Sequence, residues 1–331
     1  MEPVDRREFM RSMAGTAALA AAGLPAGAAS PSDSPASGLV LLTTWEWGKN
    51  ANQRAAEVFQ TSGSLLDAVE KGINVVEDDP KVMTVGYGGV PNADGVVELD
   101  AAIMDGTRHR AGSVCNLHMI KNPISVARQV IEKTSHTTIA GEGAFLFALK
   151  MGFQPQQLLT PASLEVWMKW KADPNHKTFW LKPAENHDTI GMIGTDGKGH
   201  MVAGCSTSGL AFKIPGRVAD SSLVGCGVYA DDQVGGASAT GDGDLMTNYC
   251  TSISIVRLMA KGASPQEACE EILHDMVKAD PRNKGGQCAV IAMNNRGDIG
   301  NASMSGAFRL KYALWKNGAN QVHEGPVLYS E

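Results

Sequence analysis

The sequence predicts an α+β fold in which antiparallel sheets are covered by helices. Short β-favouring runs occur as adjacent pairs joined by tight turns, as at 189–194 and 201–207 on either side of Asp196-Gly197-Lys198-Gly199. The second half groups its helical segments, 245–261 and 265–278, between strands and does not alternate them one for one, which argues against a doubly wound parallel sheet. Hydrophobic residues make up 43% and charged residues 19% of the 331, a globular composition with enough apolar material for one large domain or two small ones.

Leu39-Val40-Leu41-Leu42-Thr43-Thr44-Trp45 is a short β-favouring run without helical spacing of polar residues, so it predicts a buried strand. Helices follow at 52–60 and 64–76, the second opening on Ser64 as N-cap with Asp67 three places on. Gly86-Tyr87-Gly88-Gly89-Val90-Pro91 is a loop. Strands are expected at 96–104 and 113–118, helices at 123–133 and 144–151. From 152 to 187 the chain turns polar, with prolines at 155, 161, 174 and 183 and one helical stretch at 164–171. A long irregular connection inside a compact domain is usually functional or disordered, and a processed linker is one way to explain this one. Further strands are predicted at 223–229, 235–240, 288–293 and 301–304, and Ser264 with Glu267 forms the capping box of the last helix. No repeat of fixed period is present.

The first thirty residues pose a separate problem. Asp5-Arg6-Arg7-Glu8-Phe9-Met10-Arg11 leads into an Ala-rich stretch at 13–24, and Ala26-Gly27-Ala28 supplies small residues for a peptidase. Residues 1–30 resemble a twin-arginine signal peptide, so a periplasmic or secreted location is expected, with 30–37 as a mature tail. This apolar run is too short for a permanent transmembrane helix. A net charge of −6 without a Lys/Arg block leaves no footprint for nucleic acid or an anionic membrane, so neither is expected as a partner. The six cysteines, at 115, 205, 226, 250, 269 and 288, contain no Cys-x-x-Cys pair and read as buried free thiols. No metal-ligand cluster is visible among the eight histidines, so cofactor-free chemistry is expected.

His187-Asp188-Thr189-Ile190-Gly191-Met192 is where chemistry enters. A threonine hydroxyl is a poor nucleophile without an adjacent base. If the chain is severed before Thr189, its α-amine, with a reference pKa of about 7.7–8.0, lies beside its own Oγ and can serve as that base. Read alone, Asp-Thr ahead of a strand is more often a turn boundary. The surrounding motifs change that. Cys205-Ser206-Thr207-Ser208-Gly209, Gly216-Arg217-Val218-Ala219-Asp220-Ser221 and Ala239-Thr240-Gly241-Asp242-Gly243 follow in order. Thr44-Trp45, Gly88-Gly89-Val90-Pro91, Leu99-Asp100-Ala101-Ala102-Ile103-Met104-Asp105-Gly106 and Gly112-Ser113-Val114 precede. Together they resemble the glycosylasparaginase family of N-terminal nucleophile (Ntn) hydrolases, over most of the chain outside the leader and linker.

The resemblance implies a four-layer αββα sandwich of two antiparallel sheets. It also implies self-cleavage into an α chain, 38–188 with a linker at about 153–188, and a β chain, 189–331. Such units commonly pair as dimers of αβ heterodimers. Autoproteolysis would involve His187, Asp188 and Thr189. Thr189 would then attack the side-chain amide of a small asparagine-type substrate and form a β-aspartyl ester. Thr207 matches the residue that bonds the nucleophile's amine, and Thr240 and Gly241 match the oxyanion donors. Arg217 and Asp220 match the pair that holds the substrate's α-carboxylate and α-ammonium, Gly243 offers the ammonium a carbonyl, and Trp45 sits near the mouth with Trp47 sharing its wall. The His-Asp-Thr start and Trp45 favour cleavage of the bond between asparagine and N-acetylglucosamine. The alternatives are a plant-type asparaginase or isoaspartyl peptidase and, from another class, an uncleaved binding protein.

Overall fold

A computed structural model describes residues 38–174 and 188–329. The leader, His187 and the linker from 175 onward lie outside the described residues. The first part contains β1 (Val40–Thr44), α1 (Gly48–Ser62), α2 (Leu65–Glu77), β2 (Leu99–Asp105), β3 (Arg110–Leu117), α3 (Pro123–Lys133), β4 (Thr138–Ala140), α4 (Gly141–Lys150) and α5 (Pro161–Ala172). The second begins with β5 (Ile190–Thr195), β6 (Met201–Thr207), β7 (Val228–Asp231) and β8 (Gly235–Gly241). Helices α6 (Gly243–Asn248), α7 (Thr251–Ala260) and α8 (Pro265–Ala279) follow. The chain then returns as β9 (Cys288–Asn294), β10 (Ile299–Ser305), β11 (Lys311–Lys316), β12 (Ala319–Glu324) and β13 (Val327–Tyr329).

The strands form two sheets, of eight strands in the order β12-β11-β1-β5-β6-β2-β3-β4 and of five in the order β13-β10-β9-β8-β7. Strand periodicity sorts their side chains into layers. Leu41 faces the helical cluster of α1, α2 and α3, whereas its neighbours Val40 and Leu42 face the space between the sheets. Ala289, Ile291 and Met293 of β9 meet them there, while Cys288, Val290 and Ala292 point outward to α7 and α8. Three apolar interfaces therefore separate four layers, helices–sheet–sheet–helices, as the resemblance implied. The chain segments before and after residue 189 interleave in the larger sheet, since β1 lies between β11 and β5, and β6 pairs with β2.

Several elements differ from the sequence reading. The predicted helix 245–261 is broken at Cys250, whose φ of 45° places it in the left-handed region and turns α6 into α7. The predicted strand 223–229 starts only at Val228, because Asp220–Ser222 forms a 3-10 turn whose backbone captures the following residues. The β11–β12 hairpin was not foreseen, although Asn317-Gly318, at φ 53° and 78°, is a type I′ turn signal. Pairing is antiparallel except at two short edges, β3–β4 and β10–β13, where a helix or a longer excursion intervenes. Strand β6, helix α3 and the Ser264–Glu267 capping box stand where the sequence placed them.

One buried carboxyl ties the helical layer to the sheet. Glu77, at the end of α2, accepts from Ser206 Oγ of β6 at 2.7 Å, from the Ile124 N–H at the start of α3 at 3.0 Å, and from Asn74 and Asn122. Burial nonetheless dominates and raises its pKa from 4.5 to about 7, the hydrogen bonds opposing the rise. A carboxyl with a raised folded-state pKa stabilises the fold fully below its unfolded value and loses that contribution as pH rises through the folded one. The unfolding free energy of wild type minus that of Glu77→Gln should therefore decline between pH 4.5 and about 7. Urea titrations across that window check it, and a flat difference would refute the assignment.

Candidate active site

Strand register brings the motif residues to one end of the larger sheet. Ile190 pairs with Ser206 and Asp100 with Thr207, so Thr189, Thr207 and Asp100 sit on three adjacent strand ends. Thr240 and Gly241 end β8 in the smaller sheet, and the Asp220 turn with the loop through Arg217 closes the gap. The resulting cleft is lined by Thr189, Thr207, Arg217, Asp220, Gly241 and Gly243, together with Asp100, Gly209, Leu210, Ala219 and Ser221.

Thr189 is held from three sides and is only 5% exposed. Its carbonyl accepts from Thr44 Oγ1 at 2.7 Å, and the same hydroxyl accepts from the Gly191 N–H at 2.9 Å, fixing the entry of β5 against β1. Its N–H donates to Thr240 Oγ1 at 3.0 Å. Its own Oγ1 lies 3.4 Å from Ser221 Oγ. Thr240 also accepts from Trp45 Nε1 at 3.3 Å, so both of its lone pairs are engaged and its hydroxyl proton is left to donate elsewhere. Just before Thr189, burial raises the Asp188 carboxyl from 3.8 to about 6.

The charged pair occupies the cleft with capacity to spare. Arg217 Nη2 donates to the exposed Asp244 at 2.8 Å, but its Nε is buried without a partner among the described residues. Asp220 is 4% exposed; one oxygen is 3.5 Å from Ser221 Oγ and the other has no partner among the described residues. Burial pushes the Asp220 carboxyl up to about 7, with the Arg217 charge the largest opposing influence. Gly243 and Gly241 permit this packing. A Cβ on Gly243 would collide with the Asp220 carboxylate, and one on Gly241, at φ 113°, with the Gln287 carbonyl.

The remaining site residues have partners of their own. The Thr207 hydroxyl donates to the Thr84 carbonyl at 3.3 Å and accepts from the Gly209 N–H at 2.9 Å; it is Thr240, on the opposite sheet, that holds the Thr189 nitrogen. The Gly243 carbonyl accepts from Thr247 Oγ1 at 2.7 Å. Trp45, at φ 63°, stands beside the cleft, edge-on to Phe308 at 5.1 Å. Trp47 does not share its wall, because the chain turns between them and carries Trp47 to the helix-side core.

Four residues at the site had no role assigned from sequence, although Thr44, Asp100 and Ser221 stood inside the matched motifs. The fourth, Lys213, is 1% exposed, and its ammonium lies 3.5 Å from Asp100 and 3.9 Å from Glu98 while donating to the Glu98 carbonyl at 3.2 Å. A lone Lys in a loop carries no sign of burial, so no sequence signal marks it. It sits behind Gly209, where a Cβ would lie 2.8 Å from Nζ, and supplies the positive charge that a buried Asp100 requires.

With this geometry in place, the sequence can be set beside known proteins. It matches the asparaginase family over residues 28–321. The chain belongs to that family. It is 45% identical over 268 residues to the N(4)-(β-N-acetylglucosaminyl)-L-asparaginase of Elizabethkingia miricola, covering 79% of this chain and 77% of that protein. The rat protein of the same name is 39% identical over 291 residues, covering 80% of this chain and 83% of that protein. The two helix-flanked sheets agree with the four-layer architecture of Ntn hydrolases.

The Arg217 charge should hold the Asp220 carboxyl below the value that burial alone would give it. Carbon-13 carboxyl NMR should give Asp220 a midpoint near 7, moving upward in Arg217→Ala as the opposing positive charge is removed. A downward movement would show that the two groups do not share one field.

Proposed function

We propose that this protein is an N4-(β-N-acetylglucosaminyl)-L-asparaginase that severs its own backbone between Asp188 and Thr189 and then works through Thr189. The observation that carries the proposal is the company Thr189 keeps. A buried hydroxyl shares one cleft with a guanidinium and a carboxylate that each retain an unpartnered buried atom. An asparagine with free α-groups presents the complementary carboxylate and ammonium, and an Arg fork fixes the first of these in orientation. The names of the relatives in Elizabethkingia miricola and rat point to the same substrate class.

In the precursor, Thr189 Oγ attacks the Asp188 carbonyl carbon and its proton passes to the Asp188 carboxylate. With a pKa of about 6 that carboxylate is a stronger base than an ordinary aspartate and still largely ionised at neutral pH. The peptide C–N bond breaks, the nitrogen leaves protonated as the new α-amine, and water hydrolyses the ester. The products are an α chain of residues 38–188, with its linker at about 153–188, and a β chain of 189–331. His187, the residue before Asp188 in the family motif, takes part in this cleavage.

In the mature enzyme the Thr189 amine accepts the Oγ proton as Oγ attacks the side-chain carbonyl of the substrate. The negative oxygen that develops is met by the free proton of the Thr240 hydroxyl and by the Gly241 N–H. The proton then returns to the departing glycosylamine, leaving a β-aspartyl ester that water cleaves to aspartate. Thr207 orients the amine once it is freed, Arg217 and Asp220 hold the α-groups with Gly243, and Trp45 braces Thr240 at the mouth. No cofactor is needed for any of these steps.

We also propose export through the twin-arginine-type leader to the periplasm or medium, and assembly as a dimer of αβ heterodimers. Replacing both Arg6 and Arg7 with Lys should leave the leader attached and the protein in the cytoplasmic fraction; normal export of that variant would sink this part.

A denaturing gel tests the central claim. Active protein should run as two bands, the smaller opening Thr-Ile-Gly-Met, whereas Thr189→Ala should remain a single band and Thr189→Cys should still divide. A single uncut band from active wild type would defeat the proposal. Comparison of kcat/KM on glycosylated asparagine, free asparagine and β-aspartyl dipeptides should rank the first highest, and a preference for the dipeptides would reassign the enzyme to the isoaspartyl peptidases.

A further inference from the structure

Cys226 and Cys250 meet at a joint behind the substrate-binding turn. Cys226 follows the 3-10 turn that carries Asp220, and Cys250 is the corner between α6 and α7. The two segments are stitched together by backbone. The Cys226 carbonyl accepts from the Ser252 N–H at 3.1 Å and from Ser252 Oγ at 2.8 Å, and the Gly225 carbonyl accepts from the Ile253 N–H at 2.9 Å. The Thr247 carbonyl receives both cysteines, the N–H of Cys250 at 3.1 Å and the thiol of Cys226 at 3.8 Å. Both thiols are free, Cys226 buried and Cys250 exposed, and the shared Thr247 carbonyl with the Cys226–Ser252 backbone bond brings the two residues side by side.

We propose that Cys226 and Cys250 close into a disulfide when the folded protein meets a small disulfide oxidant, stapling the Asp220 loop to the corner that follows Gly243 and Asp244. The asymmetry of the pair sets the order of events. Burial and the neighbouring Cys250 push the Cys226 thiol up to about 12, so it is the poor first attacker. The exposed Cys250 thiolate attacks one sulfur of the oxidant, releasing the other as a thiol and leaving a mixed disulfide. Cys226 then loses its proton to solvent and attacks Cys250 Sγ, expelling the second thiol. Two protein thiols are oxidised and one external disulfide is reduced, which balances the exchange. The bond would cross-link residues 226–250, which hold Asp220's carbonyl contacts, Gly243 and the Arg217 partner Asp244 within or beside one loop. Both cysteines follow Thr189 in sequence, so the outcome does not depend on whether the chain is cut.

The test uses full-length protein purified under reducing conditions and then equilibrated with oxidised glutathione. Thiol titration in denaturant should lose two of the six cysteines, and non-reducing peptide mapping should find Cys226 joined to Cys250. The thermal midpoint should rise on the order of 5 °C and fall back with dithiothreitol. Cys250→Ala, a substitution at an exposed corner, should abolish the cross-link, the loss of thiols and the shift together. The proposal is overturned if Cys226 remains alkylatable while Cys250 carries glutathione, if the joined peptides contain other cysteines, or if Cys250→Ala keeps the full shift.

Discussion

The site depends on one hydroxyl that does no chemistry itself. Thr44 Oγ1, buried at the end of β1, donates to the carbonyl of Thr189 and accepts from the N–H of Gly191. A strand end is where ladder hydrogen bonds run out, and an unpaired buried carbonyl there costs about as much as a lost hydrogen bond. Thr44 makes up that deficit, so the first residue of the β5 entry is held as firmly as the strand behind it. The opposite face of Thr189 is held by Thr240 from the second sheet. Thr189 is thus clamped between two sheets, and its side chain lines the cleft.

Charge placement at this site follows from the cost of burial. Asp100, Asp220 and Lys213 are withdrawn from water and Arg217 is half-buried, and each such group demands compensation from a partner or a ligand. Lys213 compensates Asp100 permanently and in doing so supports the floor under Gly209. Arg217 and Asp220 are compensated only in part, each with an atom unmatched by the described protein. On the proposed reading, a zwitterionic substrate would complete both at once, which would tie binding free energy to the orientation of the amide to be attacked. The elevated Asp220 carboxyl is the signature of that incomplete compensation.

The layers explain why a chain broken at residue 189 would stay together. Strand β5 is paired on one side with β1 and on the other with β6, and the inter-sheet core joins side chains from both parts of the chain. Cutting one peptide bond at the end of such an interior strand removes neither ladder nor core, and it frees one end without loosening what positions it. Behind the Asp220 turn, the Cys226–Cys250 joint rests on a left-handed corner at Cys250.

Sequence by itself determined the class of fold, the period-2 sorting of strands such as Met201–Thr207, the capping of α8 by Ser264 and Glu267, and the set of motif residues that line the cleft. These are local properties, set by side-chain period, cap chemistry and residue type, and they survive without knowledge of partners. Only the tertiary structure decided the break at Cys250, the delayed start of β7, the burial of Lys213 and the choice of Thr240 over Thr207 as partner of the Thr189 nitrogen. Each of those depends on which distant backbone arrives nearby: the Asp220 turn, the Glu98–Asp100 carboxylates, or the end of β8. Contacts between residues far apart in the chain are settled by how layers stack, and a linear pattern contains the faces of the strands but not the register in which two sheets meet.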